Sequence, residues 1–157
     1  MPGGDAFRRQ GFTLVGLLLA LALISLALAA VGPMWSQQQR RERERELLRI
    51  GALYAQAIQS YHQSSPGNQQ DHPARLEDLL LDTRFVGTRR HLRKLYPDPV
   101  QPGRPWGLIT DDRGRISGVY SQSTATPIAA AAVPLPDRTL PPAQRYADWK
   151  FLALPDQ

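Results

Sequence analysis

The distribution of apolar and charged positions sets the first part of the chain apart from the rest. Residues 10–39 contain no charged side chain, and residues 12–31 form an almost continuous apolar run rich in leucine and alanine. About twenty apolar residues match the thickness of the bilayer hydrocarbon when they are helical. Leucine and alanine are also strong helix formers. The pattern therefore predicts a membrane-spanning helix near the N-terminus.

A second helical pattern follows without a break. Charges of both signs alternate over residues 40–46, where Arg40 and Glu44 lie four residues apart, the spacing of neighbouring side chains on a helix. An apolar stripe at helical spacing comes next, formed by Leu47, Ile50, Tyr54, Ala57, Ile58 and Tyr61. Breaker residues at 64–68 end the pattern. We predict one helix over about residues 12–62, with a solvated charged part and an apolar stripe that holds a folded domain.

The remainder of the chain predicts a small head. Short helices are expected at residues 73–81 and 89–95. Residues 106–121 contain two alternating apolar segments around a turn with Asp and Gly, which is a hairpin signal. A further strand is expected within residues 147–154, and the Ala- and Pro-rich residues 124–144 predict a loop. The predicted fold class is α+β: a long N-terminal helix packed on a small antiparallel β-sheet.

Charge and composition limit the partners. The formal net charge is +5, and four cations cluster in one segment, Arg89, Arg90, Arg93 and Lys94. Such a cluster is a candidate patch for DNA, another polyanion or acidic headgroups, but we favour a solvated surface as its explanation. No aromatic residue is interleaved with the cluster in the sequence, so we do not expect nucleic acid as the partner. Cysteine is absent, which excludes disulfides and leaves partner subunits as the expected support for a small core.

The sequence does not predict an enzyme. The three histidines do not have metal-ligand spacing, and no phosphate-binding or nucleophile motif occurs. Glu77 and Asp78 are adjacent and would face apart on a helix. Ser121 and Ser123 have no evident partner base. We therefore predict no catalytic residues, no metal site and no cofactor.

The N-terminal segment allows three interpretations. Arg8 and Arg9 precede the apolar run, so the N-terminus should stay cytoplasmic and the C-terminal domain periplasmic. A secretory signal cleaved after Ala29 is one alternative, but the apolar region exceeds the usual ~7–15 residues. A twin-arginine signal is the second, although the residues after the arginine pair depart from that motif. The third is a prepilin-type leader, which we favour.

The favoured interpretation rests on residues 8–15, Arg-Arg-Gln-Gly-Phe-Thr-Leu-Val. This segment resembles the cleavage site of type IV pilins and type II secretion pseudopilins. The resemblance implies that prepilin peptidase cuts between Gly11 and Phe12 on the cytoplasmic side and that Phe12 becomes N-methylated. It also implies assembly with other pilin or pseudopilin subunits on an inner-membrane secretion or pilus assembly platform.

The same resemblance divides the chain into a leader and three parts. We expect a leader at residues 1–11, a transmembrane assembly helix at 12–33, its periplasmic continuation at 34–64 and an α+β head at 65–157. The mature protein would cross the inner membrane once and would join a periplasmic fibre.

One further position agrees with the family pattern, and one departs from it. Pro33 lies where many family members have a helix-kinking proline, although a helix stop at the membrane interface is an equal alternative. Gly16 departs from the family, which usually has Glu at the fifth mature position, where it is thought to neutralise the N-terminal ammonium of a neighbouring subunit. A buried, unpaired ammonium is costly. The departure favours a minor or tip-proximal subunit, or a subunit of a divergent system.

The C-terminal segments, a short helix followed by a hairpin, come in an order similar to that in the major-pseudopilin-like branch of the type II secretion proteins. Members of that branch often bind calcium through acidic loop residues. The loop after the predicted hairpin contains only Asp137, which is too few carboxylates for a calcium ion that needs six or more oxygen ligands. Asp111 and Asp112 are interpreted as turn formers, so calcium is not expected.

Overall fold

The computed structural model describes residues 6–66 and 70–154, and one long helix dominates its first half. Helix α1 comprises Ala6–Gln63 and includes both the apolar run and the amphipathic stripe. The prediction of a single uninterrupted helix is therefore confirmed. The chain divides into two compact units, Met1–Gln39 and Arg40–Gln157. The second unit contains the last part of α1 together with the head.

Five short strands follow in the head. They are β1 (Gly107–Thr110), β2 (Ile116–Tyr120), β3 (Val133–Pro134), β4 (Thr139–Leu140) and β5 (Lys150–Leu152). β1, β2 and β5 form an antiparallel sheet in that order, in which Val119 pairs with Leu108 on one side and Phe151 on the other. The predicted hairpin, the final strand and the α+β class are confirmed. The predicted loop at 124–144 is wrong in part, because β3 and β4 pair within it.

The turn between β1 and β2 shows why Asp and Gly occupy it. The carboxylate of Asp111 accepts hydrogen bonds from the backbone N–H groups of Arg113 and Arg115, both at 2.9 Å. Gly114 has a φ of 72°, a left-handed conformation that glycine adopts without strain. The interpretation of Asp111 as a turn former is confirmed.

The two predicted short helices fare differently. Within residues 73–81 only a 3₁₀ turn at Leu76–Leu79 forms. The helix predicted at 89–95 is wrong. Its backbone N–H groups at His91 and Leu92 both donate to the carbonyl of Leu79, at 2.9 Å, instead of bonding within the segment. The segment is therefore held by non-local bonds, which local propensity does not reveal.

The apolar stripe of α1 builds the core against the sheet and the loops. Leu47, Ile58, Val119, Trp149 and Phe151 are fully buried in one cluster. The cluster also includes Ile50, Tyr54, Ala55, Ala57, Tyr61, Leu79, Leu92, Trp106, Ile116, Leu140 and Tyr146. The predicted role of the stripe is thus confirmed.

Gly51 allows β5 to approach this helix face closely. A Cβ at Gly51 would lie 2.5 Å from atoms of the Phe151 ring, well inside van der Waals contact. The ring has no exposed surface and cannot move aside without disturbing the core. Gly51 is therefore a packing requirement of the helix–sheet contact.

A buried ion pair joins the loop after Leu81 to the end of α1. Asp82 is buried, and Arg84 donates to both of its carboxylate oxygens, from Nε at 2.9 Å and from Nη2 at 2.7 Å. Arg84 also donates to the Tyr61 carbonyl at 2.8 Å and to Ser65 Oγ at 2.6 Å. Its guanidinium lies 3.6 Å from the centroid of the Tyr61 ring. This clamp satisfies a carbonyl at the helix C-terminus and fixes the start of the basic segment.

The contacts of the clamp shift the pKa values of Asp82 and of the neighbouring His91. Hydrogen bonds from Arg84 lower the pKa of Asp82 to about 2. His91 Nε2 lies 3.3 Å from Asp82 Oδ2, and its Nδ1 lies 2.9 Å from Ser60 Oγ. Burial lowers the pKa of His91, because the charged ring would lose its hydration, and the neighbouring carboxylate offsets this only in part.

The contact at Gly51 predicts that a glycine-to-alanine change in this helix destabilises the fold instead of stabilising it. In an open helix interior this change stabilises by about 1 kcal/mol. Gly51→Ala should instead lower the free energy of unfolding by roughly 1–3 kcal/mol, because the methyl group overpacks the Phe151 ring. Denaturant unfolding of the full chain in detergent, followed by tryptophan fluorescence, measures this. Gly87→Ala is the control, since nothing lies within 4 Å of its added Cβ; a stabilised Gly51→Ala variant would contradict the packing.

The clamp predicts an acid-dependent loss of stability. Because the pKa of Asp82 is lower in the folded state, its contribution is complete above the unfolded pKa near 3.9 and is lost as the pH falls toward 2. Asp82→Asn should lower the unfolding free energy at neutral pH by roughly 2–4 kcal/mol, since Arg84 loses its charged partner. In this variant the unfolding free energy should also fall less steeply between pH 4 and pH 2 than in the wild type. Asp112→Asn, in the exposed turn, serves as the control. If the unfolding free energies of the wild type and Asp82→Asn depended on pH in the same way, Asp82 would not be the group responsible for the acid-dependent loss.

Candidate functional site

The predicted processing junction lies within α1. The backbone at Gly11 and Phe12 belongs to Ala6–Gln63, as does Pro33. The side chains at these positions lie outside the described part of the structure. Cleavage after Gly11, methylation of Phe12 and the bend at Pro33 therefore stay predictions.

The apolar run presents its side chains outward. Every described side chain from residue 14 to residue 26 is exposed, with Leu14 at 59% and Leu26 at 70%. A continuous apolar surface of this kind marks a contact with lipid or with other protein. Within residues 6–66 and 70–154, no helix is long and apolar enough to cross a membrane.

Gly16 lies in this exposed stretch. Nothing lies within 4 Å of the position that a Cβ would occupy there. The contrast with Gly51 is direct: packing within the chain requires glycine at 51 but not at 16. Packing within the described part of the chain therefore does not account for glycine at position 16.

The four cations of the basic segment do not converge on one point. Arg89 donates to Ser64 Oγ at 2.7 Å, and its guanidinium lies 4.6 Å from the centroid of the Phe85 ring. Lys94 Nζ lies 5.2 Å from the centroid of the Tyr96 ring. Two of the cations therefore stack on aromatic rings, although no aromatic residue interrupts the cluster in sequence.

The other two cations of this segment are open to solvent. Arg90 and Arg93 are exposed, and their side chains make no hydrogen bond or ion pair with another described residue. The Phe85 and Tyr96 rings have cations over them and do not form a bare stacking platform for bases. The segment can attract anions across its surface, but it does not form an enclosed site.

Glu44 differs from the other charged residues of its helix segment. It is 6% exposed, and its carboxylate accepts hydrogen bonds from the N–H groups of Ile128 and Ala129, at 2.6 and 2.9 Å, and from the Tyr146 hydroxyl at 2.7 Å. Burial and Glu44 raise the pKa of Tyr146. The expected solvated pair between Arg40 and Glu44 is wrong. Glu44 instead fixes the Ala- and Pro-rich segment to α1.

Two further polar groups join distant parts of the head. Asp98 is buried, accepts the Ser121 hydroxyl at 2.5 Å and accepts the backbone N–H groups of Val100 and Gln101. Ser121 therefore has an acidic partner that the sequence did not reveal. All of these bonds stabilise the turn that follows Asp98 and its contact with the sheet.

The histidines form one close pair. The rings of His62 and His72 stack with centroids 4.3 Å apart, and His72 Nδ1 lies 3.0 Å from Asp111 Oδ2. Among residues 6–66 and 70–154, no group of three or more His, Cys, Asp or Glu is arranged to hold a metal ion.

The sequence analysis missed Glu44, Asp82 and Asp98 as buried groups. Glu44 alternates with Glu42 and Glu46 in an evenly charged segment, so the pattern gave no reason to select it. Asp82 directly follows three leucines, which was the one local signal that it lies next to the core.

The comparisons with known proteins match the N-terminal segment alone. The model of the prokaryotic N-terminal methylation motif matches residues 7–32, which include Gly11, Phe12 and Gly16. No curated protein and no solved structure is significantly similar to the chain. The motif match supports processing by prepilin peptidase and assembly with other pilin-like subunits.

Proposed function

We propose that this protein is a pilin-like structural subunit of a type II secretion pseudopilus or a related type IV pilus-like fibre. The observation that carries the proposal is the methylation motif at residues 7–32. The motif stands at the start of a 58-residue helix whose far end is built into an α+β head. In this proposal prepilin peptidase removes residues 1–11, and the mature chain stays anchored in the inner membrane with its head in the periplasm.

The exposed apolar face of α1 supports assembly. Leucines that are exposed in the described part of the chain can exchange lipid contacts for contacts with sister helices. The head is fixed to α1 by the core, by Glu44 and by the Asp82 clamp, so its surface can act as a rigid lateral contact. A structural role needs these features and needs no catalytic group.

We place the subunit among the minor, tip-proximal ones because of Gly16. A subunit inside a fibre would place the ammonium of its neighbour against position 16 without a carboxylate to neutralise it. A tip subunit has no neighbour above it and avoids this cost. The described part of the chain would accept a glutamate at position 16, so its own packing does not exclude the residue that is usual in the family.

Processing at Gly11 should depend on the small residue before the cut. Gly11→Val should prevent cleavage when the full chain is produced with a prepilin peptidase, because a branched side chain obstructs the approach to the scissile bond. Intact mass spectrometry should give a wild-type chain that starts with methylated Phe12 and a variant that keeps its leader. Gly16→Ala is the control and should be cut normally. A mature chain that starts near Ala30 would indicate a secretory signal and would contradict the proposal.

The position in the fibre can be tested through Gly16. Immunogold labelling of fibres should place the wild-type chain at their ends, whereas Gly16→Glu should also appear along their length, because the carboxylate can neutralise a neighbouring ammonium. Gly16→Gln is the matched control without the charge and should remain at the ends. A wild-type chain spread evenly along the fibres, with no change in Gly16→Glu, would exclude the tip position.

A further inference from the structure

The charges of residues 40–46 look balanced in the sequence but are not balanced in the fold. The segment contains four arginines and three glutamates. Glu44 is buried under three hydrogen-bond donors of the head. Glu46 accepts two bonds from Arg49, at 2.8 and 2.6 Å. The fold therefore leaves Glu42 as the one uncommitted carboxylate of this segment.

We name the four arginines of this segment the arginine collar: Arg40, Arg41, Arg43 and Arg45. All four are exposed. Within the described part of the chain, their guanidinium groups make no hydrogen bond or ion pair. Glu44 keeps its negative charge, because its three donors are neutral. Within the described part of the chain, four arginines against Glu42 and Glu44 therefore leave a surplus of two positive charges.

Two members of the collar line a cavity. Arg40 and Arg43 lie three residues apart on one helix face and border a space of about 240 Å³, together with Val100, Ala125 and Tyr146. The Tyr146 hydroxyl is already donated to Glu44. The cavity thus has two free guanidinium groups and an otherwise largely apolar lining.

This lining suits a phosphate ester with an apolar or glycerol stem. Guanidinium groups bind phosphate oxygens through paired, charge-assisted hydrogen bonds. A volume of about 240 Å³ admits a phosphate group together with part of such a stem. Arginine is also the side chain whose aliphatic part can lie along apolar surface while its charge contacts the headgroup layer.

The chain order indicates the source of the phosphate. The collar begins directly after residues 10–39, which contain no charged side chain. A surplus of positive charge after the apolar run opposes the usual distribution, in which Lys and Arg collect on the cytoplasmic side. Anionic headgroups attract arginines that lie close to a membrane surface and would compensate the surplus.

We infer that the arginine collar is a binding site for an anionic phospholipid of the outer leaflet of the inner membrane, with the headgroup phosphate held by Arg40 and Arg43. The inference rests on the proposed function, because the collar meets headgroups when residues 12–33 are anchored in lipid. The site would hold the head at a fixed depth at the membrane before the subunit enters a fibre. Extraction into a fibre would then require release of this lipid.

The test uses the full chain in vesicles of phosphatidylcholine that contain a trace of spin-labelled lipid. Electron paramagnetic resonance gives the association constant of labelled phosphatidylglycerol relative to labelled phosphatidylcholine. The wild type should prefer phosphatidylglycerol. The double variant Arg40→Gln with Arg43→Gln should reduce this preference by up to about thirtyfold, the loss expected for two arginines near anionic headgroups.

The matched control removes the same charge elsewhere. Arg90→Gln with Arg93→Gln eliminates two exposed arginines of the basic segment and should keep the wild-type preference. Neither pair belongs to the core or to the clamp, so the unfolding free energy of both variants should equal that of the wild type. An equal loss of preference in both double variants would show a general charge effect and would overturn the site.

Two further results would also overturn the inference. If the wild type shows no preference for phosphatidylglycerol, an anionic phospholipid is not the ligand of the collar. A wild-type dimer in phosphatidylcholine that the collar variant does not form would then identify a second copy of the chain as the partner. Inorganic phosphate that competes more strongly than chloride at equal ionic strength would indicate a site for free phosphate. Flotation of the wild type with phosphatidylcholine vesicles separates the two proposals. A chain that does not float would contradict the membrane anchor and therefore the proposed function. A chain that floats but shows no lipid preference would contradict the collar site alone.

Discussion

One face of α1 supports the head, and the Phe151 ring lies against it at Gly51, where there is no room for a Cβ. The sheet is only three strands wide and could not bury both of its faces alone. The helix supplies the missing surface through its apolar stripe, and glycine at 51 lets β5 approach the helix backbone. Since no cysteine is present, this packing must provide the support that disulfides give to other small domains.

Buried polar groups extend this contact to the loops, which make up most of the head. Tyr54 on α1 donates its hydroxyl to the Tyr96 carbonyl at 3.1 Å and accepts the N–H of the same residue at 2.9 Å. Glu44 secures the Ala- and Pro-rich segment, and the Asp82–Arg84 pair secures the loop before the basic segment. Each group lies on α1 or bonds to its end. The helix is thus both the anchor of the mature chain, in the proposed function, and the scaffold of its head.

The sequence predicted the long helix, the hairpin and the last strand because each has a local signal. Helical periodicity marks the stripe, and alternation around Asp111 and Gly114 marks the hairpin. The helix expected at 89–95 does not form, since its N–H groups bond to Leu79, a partner that no local pattern reveals. The collar illustrates the same limit: the sequence shows alternating charges, and only the fold shows that Glu44 is buried and Glu46 is paired. The motif around Gly11 and Phe12 was recognisable because it is a pattern of neighbouring residues in the sequence and does not depend on the fold.

In the proposed function, the mature chain is a component of a fibre. Mass spectrometry of sheared and purified fibres, from cells that produce the full chain with its own assembly system, tests this directly. We expect peptides of the head together with an N-terminal peptide that starts at methylated Phe12. A chain that is absent from the fibres and is recovered as a soluble periplasmic protein starting near Ala30 would contradict it.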